Sequence, residues 1–173
     1  MARRLIIIAP DRRLKVRSTP VETVDDSVRA LLDDMLETMY AEDGIGLAAI
    51  QVGVPKRLVV ADVHLKDQPP APIKMINPEL LWQGDETLLH EEGCLSLPDQ
   101  FAEVERPSKA RVRYLDETGI QQEREFEGVT AICLQHELDH LEGILFVDHI
   151  SAVRRSIILR RLQKLKRVEA VGA

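Results

Sequence analysis

Apolar residues recur at helical spacing near both ends of the chain. Near the N-terminus they lie within residues 28–40, after Asp25 or Asp26 as a possible N-cap and before the stop signal Gly44. Near the C-terminus, residues 151–168 combine the same spacing with a run of basic side chains. We therefore expect an N-terminal helix and a C-terminal helix with a basic face.

Four segments have the composition of β-strands, and one further segment that of a helix. The predicted strands are residues 57–63, 74–80, 110–115 and 120–126. The last two flank the turn sequence Asp116-Glu117-Thr118-Gly119, which predicts a hairpin. The further helix begins between Gly128 and Thr130, ends at Gly143 and carries enough apolar residues to be largely buried. The expected fold class is α+β, with mainly antiparallel β-sheets around this central helix, in one domain spanning residues 1–173.

Composition limits the classes of protein to consider. Hydrophobic residues make up 45% of the 173 residues, enough for a sizeable core. No apolar run approaches the roughly 20 residues of a membrane span, and no signal or transit peptide is recognisable. We therefore expect a soluble protein that makes no membrane contact.

Charge is distributed unevenly along the chain. From Ser151 onward seven basic residues stand against Glu169, so this segment carries +6 while the whole chain carries −6 and the remainder −12. The basic residues are Arg154, Arg155, Arg160, Arg161, Lys164, Lys166 and Arg167. Such a face can simply be solvated, or it can dock on an anionic surface.

The central helix contains the motif HExxH as His136-Glu137-Leu138-Asp139-His140. Side chains four residues apart project from the same face of a helix, so His136 and His140 can bind one metal ion while Glu137 acts as a base. A catalytic metal of this kind needs a third protein ligand. The longer metzincin motif would place it at position 146, which is Phe146, and a glutamate ligand could come only from Glu169 near the chain end.

The two cysteines are the remaining candidates for the third ligand. Cys133 precedes His140 by seven residues, roughly 10 Å along a helix axis, which is too far for both to bind the same ion as His136. Cys94 lies in an extended segment flanked by glycine and proline, from which it can reach the helix. The sequence thus predicts a Cys94, His136 and His140 site, the alternative being a disulfide between Cys94 and Cys133.

Three motifs together resemble those of the peptide deformylase family, in the same order and over nearly the whole chain. They are Gly44-Ile45-Gly46-Leu47-Ala48-Ala49-Ile50-Gln51, Glu92-Gly93-Cys94-Leu95-Ser96 and Gln135-His136-Glu137-Leu138-Asp139-His140. The resemblance implies hydrolysis of the formyl group from the N-terminal formylmethionine of new bacterial or organellar polypeptides. The lack of a recognisable transit peptide favours the bacterial cytoplasm, and we expect a monomer. Because that substrate arises at the ribosome, the alternative to a solvated basic face is docking on ribosomal RNA or protein. The resemblance also implies one divalent metal per chain, Fe2+ physiologically, although Zn2+, Ni2+ or Co2+ suits the same donors in purified protein.

The resemblance also assigns roles to individual residues. Glu137 would accept a proton from the metal-activated water that attacks the formyl carbon, and would then protonate the leaving amine. The Gln51 side chain and the Leu95 backbone N–H would stabilise the oxyanion. Glu92 and Arg106 would form a charge pair that orients the cysteine segment.

We further expect an apolar slot for the methionine side chain and a backbone edge for an extended peptide. The residues expected to bind substrate are Ile45, Gly46, His90, Gly93, Val129, Ile132 and Cys133. Phe101 stands where some relatives would have a basic residue. Two other classes share part of this pattern: a metzincin-like endopeptidase, and a non-catalytic metal or redox module that would not need Glu137 or Gln51.

Overall fold

The computed structural model describes residues 1–172; Ala173, the last residue of the predicted domain, lies outside the described residues. The helices are Asp26–Ala41 (α1), Gly128–Leu141 (α2) and Ala152–Gly172 (α3). The strands are Gly46–Ala48 (β1), Leu58–Ala61 (β2), Ile73–Gln83 (β3), Thr87–Cys94 (β4), Leu97–Pro107 (β5), Lys109–Leu115 (β6) and Gln121–Glu127 (β7). Short 3-10 turns lie at Arg12–Lys15, Ala49–Val52 and Phe146–His149.

The strands form two antiparallel units that flank α2. One is a five-stranded sheet in the order β1-β2-β3-β6-β7, and the other is the β4-β5 hairpin. Helix α2 packs against β1, β2, β6 and β7 on one side and against β5 on the other. The predicted α+β fold around a central helix is confirmed, and this arrangement brings residues from β1, β4 and β5 to the same helix.

Helices α1 and α2 begin and end close to the residues that the sequence predicts. Asp25 caps α1 by accepting a hydrogen bond from the backbone N–H of Val28 at 3.0 Å. Helix α2 is buried on nearly every side, and residues such as Leu134, Leu138 and Leu141 belong to the main core cluster. A helix enclosed in this way holds its polar side chains in fixed positions.

The prediction of strands was right in four places and incomplete elsewhere. The structure extends the second predicted strand to Ile73–Gln83 and confirms the hairpin across Asp116–Gly119, while β1, β4 and β5 were not predicted. Strand β5 alternates regularly between buried and exposed positions, but two of its buried positions are Gln100 and Arg106. Polar residues on the inner face conceal the apolar alternation that identifies a strand.

Helix α3 joins the body through a second core cluster. Its Ile158 and Leu162 are buried there beside Leu14, Leu97 and Phe146. Most of its basic side chains point to solvent, as the predicted basic face requires. None of the helices within residues 1–172 is long and apolar enough to cross a membrane.

Candidate metal centre and adjoining cavity

The structure brings together the three predicted metal ligands. Cys94 lies at the end of β4, and His136 and His140 lie one turn apart on the face of α2 turned toward it. One donor atom from each of the three residues lies within 4.8 Å of the others. The sulfur of Cys94 is 3.4 Å from Nε2 of His140. Both cysteines are free thiols, so the disulfide alternative is wrong.

The state of these donors fits a divalent metal. His136 uses Nδ1 to contact the Glu92 carboxylate at 2.9 Å, which leaves Nε2 as its donor atom. His140 is fully buried, and its Nδ1 has no hydrogen-bond partner within residues 1–172. Burial is the main cause that lowers the pKa of His140 well below its usual value. The ring is therefore neutral, which is the form that binds metals.

Glu137 lies beside this cluster and is buried. Its side chain is 4% exposed, and its Oε2 has no hydrogen-bond partner among the described residues. Burial is the main cause that raises the pKa of Glu137 to about 7. A carboxyl group with such a pKa can both accept and return a proton near neutral pH.

Gln51 is held in place by hydrogen bonds at both ends of its amide. Its Oε1 accepts a hydrogen bond from the Ala48 backbone N–H at 2.9 Å. Its Nε2 donates to Oγ of Ser96 at 3.1 Å and contacts the sulfur of Cys94 at 3.5 Å. The amide N–H group is thus fixed next to the proposed metal position, with Leu95 in the adjoining turn.

A buried ion pair supports the predicted metal ligand His136. Arg106 Nε and Nη2 donate to the two carboxylate oxygens of Glu92 at 2.6 and 3.0 Å, as the resemblance implied. Burial would raise the pKa of Glu92, but the hydrogen bonds with His136 and Arg106 outweigh it and lower the pKa to about 2. Asp139 also receives a hydrogen bond from Arg106, at 2.9 Å.

A cavity of about 530 Å³ opens in front of these groups. Every residue predicted to bind substrate lines it: Ile45, Gly46, His90, Gly93, Val129, Ile132 and Cys133. Gln51, Cys94, Leu95, His136 and Glu137 line it as well. The Cys133 sulfur lies 3.5 Å from the Ile45 carbonyl oxygen, and burial raises the pKa of this thiol well above its usual value. Cys133 is part of the cavity wall and lies outside the cluster of donor atoms formed by Cys94, His136 and His140.

Phe101 and Phe146 occupy defined positions near the centre. Phe101 is 58% exposed at the cavity rim, and its ring covers Gly93. Phe146 is buried, and its ring stacks on that of His136 with centroids 6.2 Å apart. The residue at the position of a metzincin's third histidine therefore stacks on His136, a predicted metal ligand.

Comparison with known proteins identifies the family that shares this arrangement. The family model for polypeptide deformylase matches residues 3–156. A peptide deformylase of Phenylobacterium zucineum is 52% identical over 164 residues, which is 95% of this chain and 97% of that protein. One from Rhizorhabdus wittichii is 55% identical over 172 residues, covering 96% and 97% of the two chains.

Solved structures agree with the sequence relatives. The peptide deformylase of Ehrlichia chaffeensis in complex with actinonin superposes with a TM-score of 0.92 at 40% identity, covering 96% of this chain and 99% of that one. A Met-Ala-Ser-bound peptide deformylase of Acinetobacter baumannii has a TM-score of 0.81 at 36% identity, covering 86% and 99%. The residues matched by the family model, 3–156, include the whole of α2 and both sheet units.

Proposed function

Because the chain belongs to the polypeptide deformylase family, we propose that its cavity removes the formyl group from the N-terminal formylmethionine of newly synthesised polypeptides. The observation that carries this proposal is the cluster of Cys94, His136 and His140 donor atoms within 4.8 Å, next to a buried Glu137. Membership of this hydrolase family also excludes the two other classes considered, the metzincin-like endopeptidase and the non-catalytic metal module.

Cys94, His136 and His140 would hold one divalent metal. When bound, such an ion supplies Lewis acidity, which lowers the pKa of a water molecule and polarises a carbonyl group. We infer Fe2+ as the physiological ion, while one thiolate and two imidazoles also suit Zn2+, Ni2+ and Co2+. Metal analysis of protein purified without oxygen tests this, and Fe2+ in place of the other three ions is the expected result.

Glu137 performs the proton transfers. Its carboxylate accepts a proton from the attacking water and delivers it to the amine nitrogen as the bond between the formyl carbon and that nitrogen breaks, so that formate and a free N-terminus result. The pKa of about 7 suits both steps. Gln51 Nε2 and the Leu95 backbone N–H donate hydrogen bonds to the formyl oxygen as negative charge develops on it.

The cavity walls select the methionine side chain. Ile45, Val129, Ile132 and Cys133 give an apolar slot suited to an unbranched thioether, and His90 adds one polar ring to its wall. The backbone at Gly46 and Gly93 can pair with the peptide as an added strand. The substrate thus enters extended, with its formyl end at the metal.

The decisive test compares two carboxylates of the same cavity. Glu137→Gln removes the proton acceptor, so deformylation of formyl-Met-Ala-Ser should fall by about 100-fold or more while metal stays bound. Glu91→Gln, at the exposed rim, should leave the rate within about twofold of the original because surface substitutions are nearly neutral. Full activity of the Glu137→Gln protein with bound metal would remove the proposed base.

The cysteines offer a second matched pair. Cys94→Ser replaces a thiolate by a hydroxyl and should strip the metal from the purified protein, since the hydroxyl is a poor ligand for these ions. Cys133→Ser, in the cavity wall, should retain a full equivalent of metal. Equal metal content in the two variants would contradict the assignment of Cys94.

We also infer that α3 docks on the ribosome, where the substrate emerges. Its exposed Arg160, Arg161 and Lys164 present positive charge, whereas the rest of the chain is strongly acidic. Reversing these three charges to glutamate should weaken ribosome binding by about tenfold or more. Reversal of Arg3, Arg12 and Lys66, exposed elsewhere, is the control, and equal effects of the two triple variants would contradict docking through α3.

We propose a monomer in the cytoplasm of a bacterial cell. All groups of the proposed site come from one chain, and newly made polypeptides arise in that compartment. Light scattering of the purified protein at working concentration should return a mass near 19.5 kDa.

A further inference from the structure

An unbroken series of charged contacts runs from the metal ligand His136 to the protein surface. His136 Nδ1 is 2.9 Å from Glu92, and Glu92 accepts hydrogen bonds of 2.6 and 3.0 Å from Arg106. Arg106 Nη1 donates to Asp139 at 2.9 Å, and the same Asp139 oxygen is 2.8 Å from Nε2 of His149. Each contact has the length of a strong, charge-assisted hydrogen bond.

Because the contact between Glu92 and Arg106 is buried, it depends on the more exposed contacts that Asp139 makes with Arg106 and His149. Glu92 and Arg106 are 4% and 5% exposed, whereas the side chains of Asp139 and His149 are 22% and 38% exposed. Arg106 uses one edge of its guanidinium for Glu92 and its remaining nitrogen for Asp139. Loss of the negative charge of Asp139 would leave the buried guanidinium with a weaker, neutral acceptor, and a buried charge with a weakened partner destabilises its surroundings.

His149 is the last residue in this series of contacts and lies at the protein surface. His149 closes the 3-10 turn Phe146–His149, whose Phe146 ring stacks on His136. The turn thus touches the metal ligand twice, directly through Phe146 and indirectly through His149 and Asp139. A metal-binding histidine depends on such support, because the hydrogen bond at one ring nitrogen fixes the orientation of the other.

We propose that Asp139 and His149 are positioning residues that hold His136 in its metal-binding orientation through Arg106 and Glu92, and so slow the loss of the metal. This inference rests on the metal centre proposed above. Neither residue touches the cavity. Their removal is therefore expected to change how long the ion stays bound, while the KM for formyl-Met-Ala-Ser stays the same.

The test measures metal release from the full-length protein loaded with Co2+ and mixed with an excess of a colorimetric chelator. Asp139→Asn should release Co2+ about tenfold faster than the original protein, the low end of what loss of a supporting contact costs. His149→Ala should accelerate release severalfold. Because both residues act through the same contact to Arg106, the double variant should release Co2+ no faster than Asp139→Asn alone.

A third variant separates this role from general loosening of the turn. Asp148 accepts a hydrogen bond from the Leu145 backbone N–H and forms ion pairs with Lys15 and Arg155, but it makes no hydrogen bond or ion pair with Arg106 among residues 1–172. Asp148→Asn should therefore release Co2+ within twofold of the original rate. Equal acceleration in Asp148→Asn and His149→Ala would overturn the proposal, as would an unchanged rate in Asp139→Asn.

The remaining outcomes are equally decisive. An unchanged rate in His149→Ala overturns the role of His149, and additive effects in the double variant overturn the single series of contacts. Thermal unfolding of the metal-free variants shows whether each is folded, and the exposed His149 makes its variant the safer one. Failure of the wild-type protein to hydrolyse formyl-Met-Ala-Ser with metal in excess would instead count against the proposed function, whatever the release rates are.

Discussion

Gly46 leaves just enough space for the buried carboxylate of Glu137. A Cβ atom at position 46 would lie 2.6 Å from Oε1 of Glu137 and 2.9 Å from the sulfur of Cys133. Both distances are too short for van der Waals contact, so Gly46→Ala must displace Glu137. We expect kcat/KM for formyl-Met-Ala-Ser to fall by about 100-fold, the cost of a small misplacement of a catalytic group.

The control for this prediction is another glycine with a milder contact. A Cβ at Gly84 would meet Cβ of Lys109 at 3.3 Å, away from the cavity. Gly84→Ala should keep kcat/KM within about twofold of the original value. A Gly46→Ala enzyme of full activity would show that Glu137 tolerates displacement and is not held as tightly as its surroundings suggest.

The individual site residues differ in how far the sequence could predict them. Spacing along one helix is local information, so His136 and His140 could be paired, and helical rise could separate Cys133 from Cys94. The contact between Asp139 and His149 depends on the turn that follows α2, and no periodicity in the sequence encodes it. The sequence indicated only that α2 is buried and that its charged residues, Asp139 among them, therefore need partners.

Strands β4 and β5 are elements that the alternation of apolar and polar residues did not predict. Together they supply Cys94, Glu92 and Arg106 and one wall of the cavity, and they form the unit that the sequence did not predict. Their inner faces carry polar residues because the site needs them there. The functional requirement thus removed the alternation of apolar and polar residues on which strand prediction depends.

The β6-β7 hairpin was predicted from its turn residues, and Asp116 explains why the turn forms. Its carboxylate accepts hydrogen bonds from Thr118 at 2.9 Å (backbone N–H) and 2.6 Å (hydroxyl), from the Ile120 N–H at 3.1 Å and from Gln122 at 2.9 Å. The hydrogen bond from the Thr118 hydroxyl is the largest of several causes that lower the pKa of Asp116 to about 2. The charged carboxylate therefore organises the whole turn.

This pKa makes the stability of the fold depend on pH through Asp116. The group titrates near 3.9 in an unfolded chain, so its contribution is complete above about pH 4 and is lost as the pH falls through about 2. Asp116→Asn should lower Tm at pH 7 and should lose less of its Tm than the original protein between about pH 4 and pH 2. Calorimetry across this range measures both effects.

A second aspartate in a turn is the control for Asp116. Asp67 is exposed in the loop between β2 and β3. Asp67→Asn should leave Tm at pH 7 and its acid dependence close to those of the original protein. If both variants changed the acid dependence equally, the effect would be one of net charge and not of the hairpin turn.

Residues 1–172 contain three apolar clusters, and the main one includes residues of α2. The main cluster lies between α2 and the five-stranded sheet, a second joins α3 to β5 and the N-terminal segment, and a third packs α1 onto β1 and β2. Since β1 and β2 contribute to the first and third, and the turn after α2 contributes to the second, the clusters are linked by rigid elements. We therefore propose that the chain unfolds as one cooperative domain.

Leu162 tests this proposal from the far end of the chain. It is fully buried beside Leu14, Leu97 and Phe146, so Leu162→Ala should lower the free energy of unfolding by about 2–5 kcal/mol. Leu165, 46% exposed on the same helix, is the control, and Leu165→Ala should change the free energy of unfolding by no more than about 0.5 kcal/mol.

The single tryptophan, Trp82, lies in β3 and reports on the other side of the molecule. In one cooperative domain the urea midpoint of Trp82 fluorescence shifts together with that of the circular dichroism signal when Leu162 is replaced. A fluorescence midpoint that stayed at its original value would mean that α3 unfolds independently of the sheet.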